Sequence, residues 1–332
     1  MTEKNAEKLL SQLFRKYFFE NPVSIRKIKG GVSDRIVYKI HSKNYVCTGV
    51  YNSKLKENIA FIEFSKTFRE KGLNVPEIYT VSENKEYYLE EFLGEESFYD
   101  LIKFNKISGK SKINTCKKAL SGLINFQIEG KEEIKYKYCY ETRIFNRKQI
   151  LFDFNKFYDY YLSVLTNSFI SKKLISKIKK NLLSILLKEK NLFFMYRDFQ
   201  PRNIMLKEEN LYYIDYQSGR KGPLHYDVAS FLYSGSINLN EKERKILLDF
   251  YIKEISKRIK LDAVKFKSTF YYFVFIRLIQ VLGSYGYIYN VKRDKAVLKK
   301  INKALNNINI IKKNLKDKIL RDFADELTIK IK

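Results

Sequence analysis

The chain has 332 residues, with 64 Lys and Arg against 37 Asp and Glu, for a formal net charge of +27. Its 45% hydrophobic content, with 26 Tyr and 25 Phe but only 13 Gly and 4 Pro, excludes a disordered or fibrous polymer and indicates a large packed core. The positive charge would suit nucleic acid, but the lysines outnumber the arginines several-fold and are scattered among Asn and Ile. No nucleic-acid-binding motif occurs, so the charge reads as a compositional bias that steers anionic ligands and not as a specific nucleic-acid face.

A chain of this length exceeds what one core usually organises, so two lobes of about 100 and 200 residues are expected, divided as 1–93 and 94–332. The opening MTEKNAEKLLSQLFRKYF lacks the apolar run of a signal peptide and reads as an amphipathic helix. Alternating residues in VSIRKIKGGVSDRIVYKIHSKNYVCTGVY, around a Gly30-Gly31 turn, predict a small antiparallel sheet. A helix follows with Ile59, Ile62 and Phe68 at helical spacing and a stop at Gly72, then two more strands between Pro76 and Gly94. The first lobe is therefore a five-stranded sheet with one intervening helix.

From a cap at Ser97 onward the pattern is mainly helical, interrupted by LFFMY, a polar turn and the hairpin NIMLKEENLYYID. The most apolar segment, STFYYFVFIRLIQVLGSYGYIY, carries Arg277 at its centre and two glycines, which favours a buried helix over a membrane span. Cys47, Cys116 and Cys139 are odd in number and lack CxxC spacing, as expected for reduced thiols in a cytoplasmic protein.

The polar turn is the chemically informative stretch. In FMYRDFQPRNIML, Asp198 and Asn203 share one loop five residues apart, and Asp215 ends the next hairpin strand. Phosphoryl transfer from ATP needs a carboxylate to orient and accept the proton of the attacking hydroxyl, and oxygen ligands to hold magnesium. Asp198 is the candidate base, with Asn203 and Asp215 as magnesium ligands. In GGVSDR, backbone N–H groups at Gly30 and Gly31 with the Ser33 hydroxyl can cradle phosphates. By chain order, LEEFLG with Glu91 and Leu93 is the interlobe hinge that meets adenine. Asp227, at the start of the VASFLY helix, reads as a candidate N-cap.

These residues resemble the catalytic loop and metal-binding strand of the protein-kinase-like phosphotransferases, above all the aminoglycoside phosphotransferase family, in which an HGDLHPGN-type loop precedes IDF or IDW. Here the corresponding residues are YRDFQPRN and YIDYQSGRKGPLHYD, with Tyr196 in place of the usual His. The form RDFQPRN…IDYQSGRKGPLHYDVASFLY is more similar to the branch of bacterial cell-wall sugar kinases that phosphorylate N-acetylmuramate and N-acetylglucosamine at the anomeric hydroxyl. The resemblance implies a two-lobe α+β fold, ATP and magnesium as cofactors, and an amino sugar as acceptor in cell-wall sugar recycling, with no membrane, specific nucleic-acid or obligate protein partner. It also implies that Asp227 braces the loop. Arg143, Arg147 and Asp153 match the substrate-side helix, and Arg202 and Arg277 join them as candidate substrate contacts.

The chain departs from the family on the third strand, where YVCTGVY lacks the usual lysine. Lys39, Lys54 or Lys56 is a candidate replacement, with Glu57 or Glu63 as its helix partner. An aminoglycoside- or choline-type kinase is the alternative within the same class, although such cationic acceptors want an acidic pocket. A pseudokinase binding module is the alternative of another class. His41 and His225 have no ligand spacing, and His225 reads as structural.

Overall fold

The structure is a computed structural model that describes residues 3–28, 35–166 and 170–329. Gly30, Gly31 and Ser33 lie outside the described residues. Helix α1 (Glu3–Phe18) buries one stripe, Ala6, Leu10 and Phe14, spaced four apart. The stripe covers a five-stranded antiparallel sheet of order β1-β2-β3-β5-β4, formed by β1 (Ser24–Ile28), β2 (Ile36–His41), β3 (Val46–Tyr51), β4 (Ile78–Val81) and β5 (Tyr87–Glu91). Alternation along the strands divides the two faces. Tyr51 and Leu89 join the α1 cluster, while Val50 and Tyr88 join a larger core with α2 (Leu55–Glu70). That helix stops where Gly72 takes φ 72°, a conformation that a β-carbon would strain.

The second lobe is mostly helical. Its first helices are α3 (Phe98–Lys103), α4 (Gly109–Glu133), α5 (Arg147–Phe157), α6 (Ser163–Leu165) and α7 (Lys172–Leu186). Short strands β6 (Phe193–Met195), β7 (Ile204–Lys207), β8 (Asn210–Tyr213) and β9 (Arg220–Gly222) form two small ladders, β6 with β9 and β7 with β8. Helices α8 (His225–Leu232), α9 (Glu241–Ser256), α10 (Ala263–Asn290), α11 (Leu298–Ile311) and α12 (Lys318–Ile329) complete it. Ser97 caps α3 through a reciprocal box with Asp100. The architecture is the expected two-lobe α+β arrangement.

Aromatic packing carries one core across both lobes. Phe61 of α2 stacks on Tyr216 at 4.9 Å, and Phe68 meets Phe126 and Phe194 edge-on at 4.7 and 5.0 Å. The Ser65 and Tyr216 hydroxyls share a hydrogen bond of 2.5 Å. Helix α2 is thereby fixed to the segment that follows Asp215.

Among the described residues no helix is long and apolar enough to cross a membrane. Helix α10 is instead the central element of the second lobe. It lies so close to α5 and the π-turn Tyr158–Leu162 that a β-carbon on Gly286 would sit 2.3 Å from the Tyr160 carbonyl oxygen. Asn290 donates to that same oxygen at 2.7 Å. Gly286→Ala is therefore expected to force two backbones apart and to destabilise the fold by roughly 1–3 kcal/mol. A lower urea midpoint at an unchanged m-value is the expected reading, and a midpoint equal to that of the parent would refute the close approach.

Candidate active site

The turn after β6 assembles the three predicted polar residues. Pro201 opens a 3-10 turn, Pro201–Asn203, whose end is held by the Asn203 N–H donating to the Gln200 carbonyl at 2.9 Å. The β7–β8 hairpin returns the chain, and the Ile214 N–H donates to the Asn203 carbonyl at 3.0 Å. The Asn203 Nδ2 then reaches both the Asp198 carbonyl oxygen at 2.9 Å and Asp215 Oδ2 at 3.2 Å. The Asn203 amide thus ties the Asp198 backbone to the Asp215 carboxylate. Arg197 and Asp215 hold φ of 80° and 69°, left-handed values that concentrate at functional sites.

A buried carboxylate supports this turn. Asp227 is the third residue of α8, and its two oxygens accept the backbone N–H groups of Tyr196 at 2.7 Å and Arg197 at 2.8 Å. It does not cap its own helix, whose N-cap position is Leu224. Burial raises the Asp227 pKa to about 7, against the lowering effect of the two N–H donors. The Arg197 guanidinium makes a two-pronged contact with Asp153 at 3.0 and 3.1 Å and donates to the Tyr226 hydroxyl at 2.7 Å. Asp153, expected on the substrate side, is only 2% exposed and faces Arg197. It supports the loop from behind. The Tyr196 hydroxyl, which takes the place of the family's His, donates to the Ile214 carbonyl at 2.5 Å and ties the loop to the strand end that bears Asp215.

Burial raises the Asp198 pKa, the neighbouring Asp215 raises it further, and Arg277 and Arg197 pull it back. Asp215 Oδ1 accepts from Gln217 at 2.7 Å and from Arg35 at 3.2 Å. No group of three or more His, Cys, Asp or Glu fit to hold a metal occurs among the described residues. The available oxygens are the Asn203 amide and the Asp215 carboxylate. That donor set fits magnesium, which takes few protein ligands when phosphates and waters complete its shell.

The remaining predicted residues separate. Arg202 and Arg277 line a cavity of about 400 Å³ together with Gln200, Lys299, Lys300 and Lys303. Arg147 opens instead on a groove beside α7, and Arg143 is exposed, with its carbonyl accepting from the Lys221 N–H at 2.9 Å. Neither is brought to Asp198. The Glu91 N–H donates to the Glu77 carbonyl at 2.8 Å, and its carboxylate pairs with Lys207 at 2.6 Å. Leu93 is buried. His225 lies between Phe266 and Phe273, and burial lowers its pKa to about 3, so it stays neutral and structural.

The candidate lysines face other partners or solvent. Lys39 pairs with Glu95 at 3.2 Å and lies over the Phe92 ring, while Lys54 is 3.9 Å from Glu57 and Lys56 is exposed. The cation that reaches both sides is Arg35, immediately before β2, at 3.7 Å from Glu57 and 3.2 Å from Asp215. The sequence signal for it was an arginine directly after GGVSD. Gln217, two residues beyond Asp215, carried no signal of its own.

Glu90, on β5, is held up at about 8 from an ordinary 4.5 by burial, with Arg35 pulling the other way. Its folded pKa lies above its unfolded one, so the folded state holds the proton and stability falls as pH rises from about 4.5 to about 8. Glu90→Gln is expected to flatten that part of the stability profile, read as urea midpoints at several pH values. Parallel profiles for the two proteins would show that Glu90 titrates normally.

Residues 160–261 match the model of the phosphotransferase enzyme family. A curated relative, the N-acetylmuramate/N-acetylglucosamine kinase of Pseudomonas aeruginosa, is 24% identical over 196 residues, which is 58% of this chain and 54% of that one. The chain thus spans about half the length of that relative. Among solved structures, the choline kinase of Cryptosporidium parvum Iowa II is similar with a TM-score of 0.62 and 14% identity, over 97% of this chain and 99% of that one. The ADP-bound aminoglycoside phosphotransferase APH(2'')-Ib gives a TM-score of 0.59 at 12% identity, over 97% and 99%. The chain thus has the two-lobe fold of these kinases, and its residues 160–261 match the phosphotransferase enzyme family model.

Proposed function

We propose that the chain transfers the γ-phosphoryl group of ATP to a hydroxyl of a small molecule with magnesium. The convergence of Asp198, Asn203 and Asp215 through the Asn203 amide carries this reading. Asp198 orients the acceptor hydroxyl and takes its proton, while the Asn203 amide oxygen and the Asp215 carboxylate are the ligands for magnesium. Bound magnesium would neutralise charge on the nucleotide phosphates. The protein's own contribution is to hold Asp198 against the acceptor on a loop pinned by Asp227, so that positioning and electrostatics supply the rate.

The solved-structure likenesses give more support to a choline- or aminoglycoside-type acceptor than to the amino sugar put first by the sequence. The amino-sugar reading, with phosphorylation at the anomeric hydroxyl, keeps two specific supports. One is the curated relative. The other is the cavity beside the loop, lined by Arg202, Arg277, Lys299, Lys300 and Lys303 and by no carboxylate, an unfavourable setting for a cationic amine. A pseudokinase is disfavoured by the intact Asp198, Asn203 and Asp215.

Asp198→Ala is expected to lower kcat by about a hundredfold or more, with nucleotide affinity nearly unchanged. Turnover near the parent value in the folded variant would remove Asp198 from the chemistry. A panel of N-acetylmuramate, N-acetylglucosamine, choline and kanamycin, compared by kcat/KM, divides the acceptor readings. Preference for a free amino sugar, with its methyl glycoside inert, supports the anomeric reading. Preference for choline or kanamycin supports the other, and no turnover with any hydroxyl acceptor is the pseudokinase outcome.

A further inference from the structure

Strand β3, Val46–Tyr51, contains no lysine, yet a cation does reach the place between α2 and the end of β8. Arg35 precedes Ile36, which pairs with Tyr51, so its backbone enters the sheet at the end nearest the N-terminus of α2. Its side chain is 12% exposed. One guanidinium nitrogen lies 3.7 Å from Glu57 Oε2 on α2, and the other lies 3.2 Å from Asp215 Oδ1. The two acids differ in what else they can do. Glu57 is otherwise engaged only locally, by Asn52 at 3.3 Å and Lys54 at 3.9 Å, whereas Asp215 is a candidate magnesium ligand.

We infer that Arg35 is the cation that grips the nucleotide phosphates in this chain, and that in the nucleotide-free protein it is held ready on Asp215. This rests on the kinase reading above. The argument is one of charge exchange. A largely buried guanidinium and a carboxylate satisfy each other only until one of them is offered a better partner. A magnesium nucleotide brings both a cation for Asp215 and an anion for Arg35, so the ion pair is replaced without leaving either charge alone. Glu57 keeps the guanidinium aimed throughout. An arginine suits the task because its planar fork meets two phosphate oxygens at once, where a lysine offers a point charge. A purely structural interlobe ion pair would explain the contact with Glu57. It would not explain why the second anchor is the residue whose charge the metal requires.

The test is calorimetry on the full chain with ADP and with adenosine, each with magnesium and with EDTA. Arg35→Ala is expected to weaken ADP about tenfold to a hundredfold, including in EDTA, and to leave adenosine unchanged. Arg35→Lys should recover part of the loss, and Glu57→Gln should weaken ADP alone by a smaller factor. Should Arg35→Ala fail to fold, the Lys and Glu57→Gln variants decide the matter by the same comparison. Equal weakening of adenosine and ADP would assign Arg35 a structural role and overturn the inference, as would unchanged ADP affinity in the variants. If the parent protein bound neither ligand, the kinase reading itself would fall. If the parent binds and turns over while the variants match it, only the inference falls.

Discussion

The arrangement of the site depends on one buried carboxylate. Two consecutive backbone N–H groups, of Tyr196 and Arg197, point into the interior, where each would be costly without an acceptor, and Asp227 supplies both. That double acceptance holds Arg197 in its left-handed conformation and so sets the direction in which the chain enters Asp198. Because Asp227 is on α8, which packs on α10, the geometry of the loop is inherited from the helical core of the second lobe. Arg197 extends the same support through Asp153 to α5, and Tyr196 extends it through Ile214 to Asp215. A loop that would otherwise be among the more mobile parts of the molecule is thus fixed on three sides.

The second constraint is electrostatic. Burial and the neighbouring Asp215 carboxylate both raise the Asp198 pKa. The chain answers with cations on separate elements: Arg277 on α10 and Arg197 in the loop act on Asp198, and Arg35 ahead of β2 acts on Asp215. Two of these come from the second lobe and one from the first. The ion pair of Arg35 with Asp215 therefore couples the lobes at the same place where the aromatic contact of Phe61 with Tyr216 couples them apolarly. Nucleotide binding between the lobes would act on both contacts.

Much of this was legible in the sequence, for a physical reason. The strand alternation, the Gly72 stop and the Ser97 cap are local signals, and the sheet, α2 and α3 followed them. Asp198, Asn203 and Asp215 lie within 18 residues of one chain segment, so a turn and a hairpin suffice to bring them together. What was missed depends on contacts far apart in sequence. Arg35 is 180 residues from Asp215, and no local pattern distinguishes it from the lysines around it. Asp153 was read by position along a substrate-side helix, but its side chain follows the inward face of α5 to Arg197, 44 residues away.

The candidate catalytic loop and the basic cavity draw on different parts of the chain. The reactive groups come from the β6–β9 region, which lies inside the stretch that matches the phosphotransferase family model. The cavity walls come largely from α10 and α11, and Arg277, Lys299, Lys300 and Lys303 lie beyond residue 261, where that match ends. Catalytic geometry is tightly constrained, since Asp198, Asn203 and Asp215 must meet within hydrogen-bonding range. A wall of exposed lysines on α11 is not constrained in that way, because each can change without disturbing the loop. A shared fold can therefore serve different acceptors, since the cavity walls are free to vary where the loop is not. The two parts meet at Arg277 of α10, which lines the cavity and also acts on Asp198 in the loop that Asp227 holds.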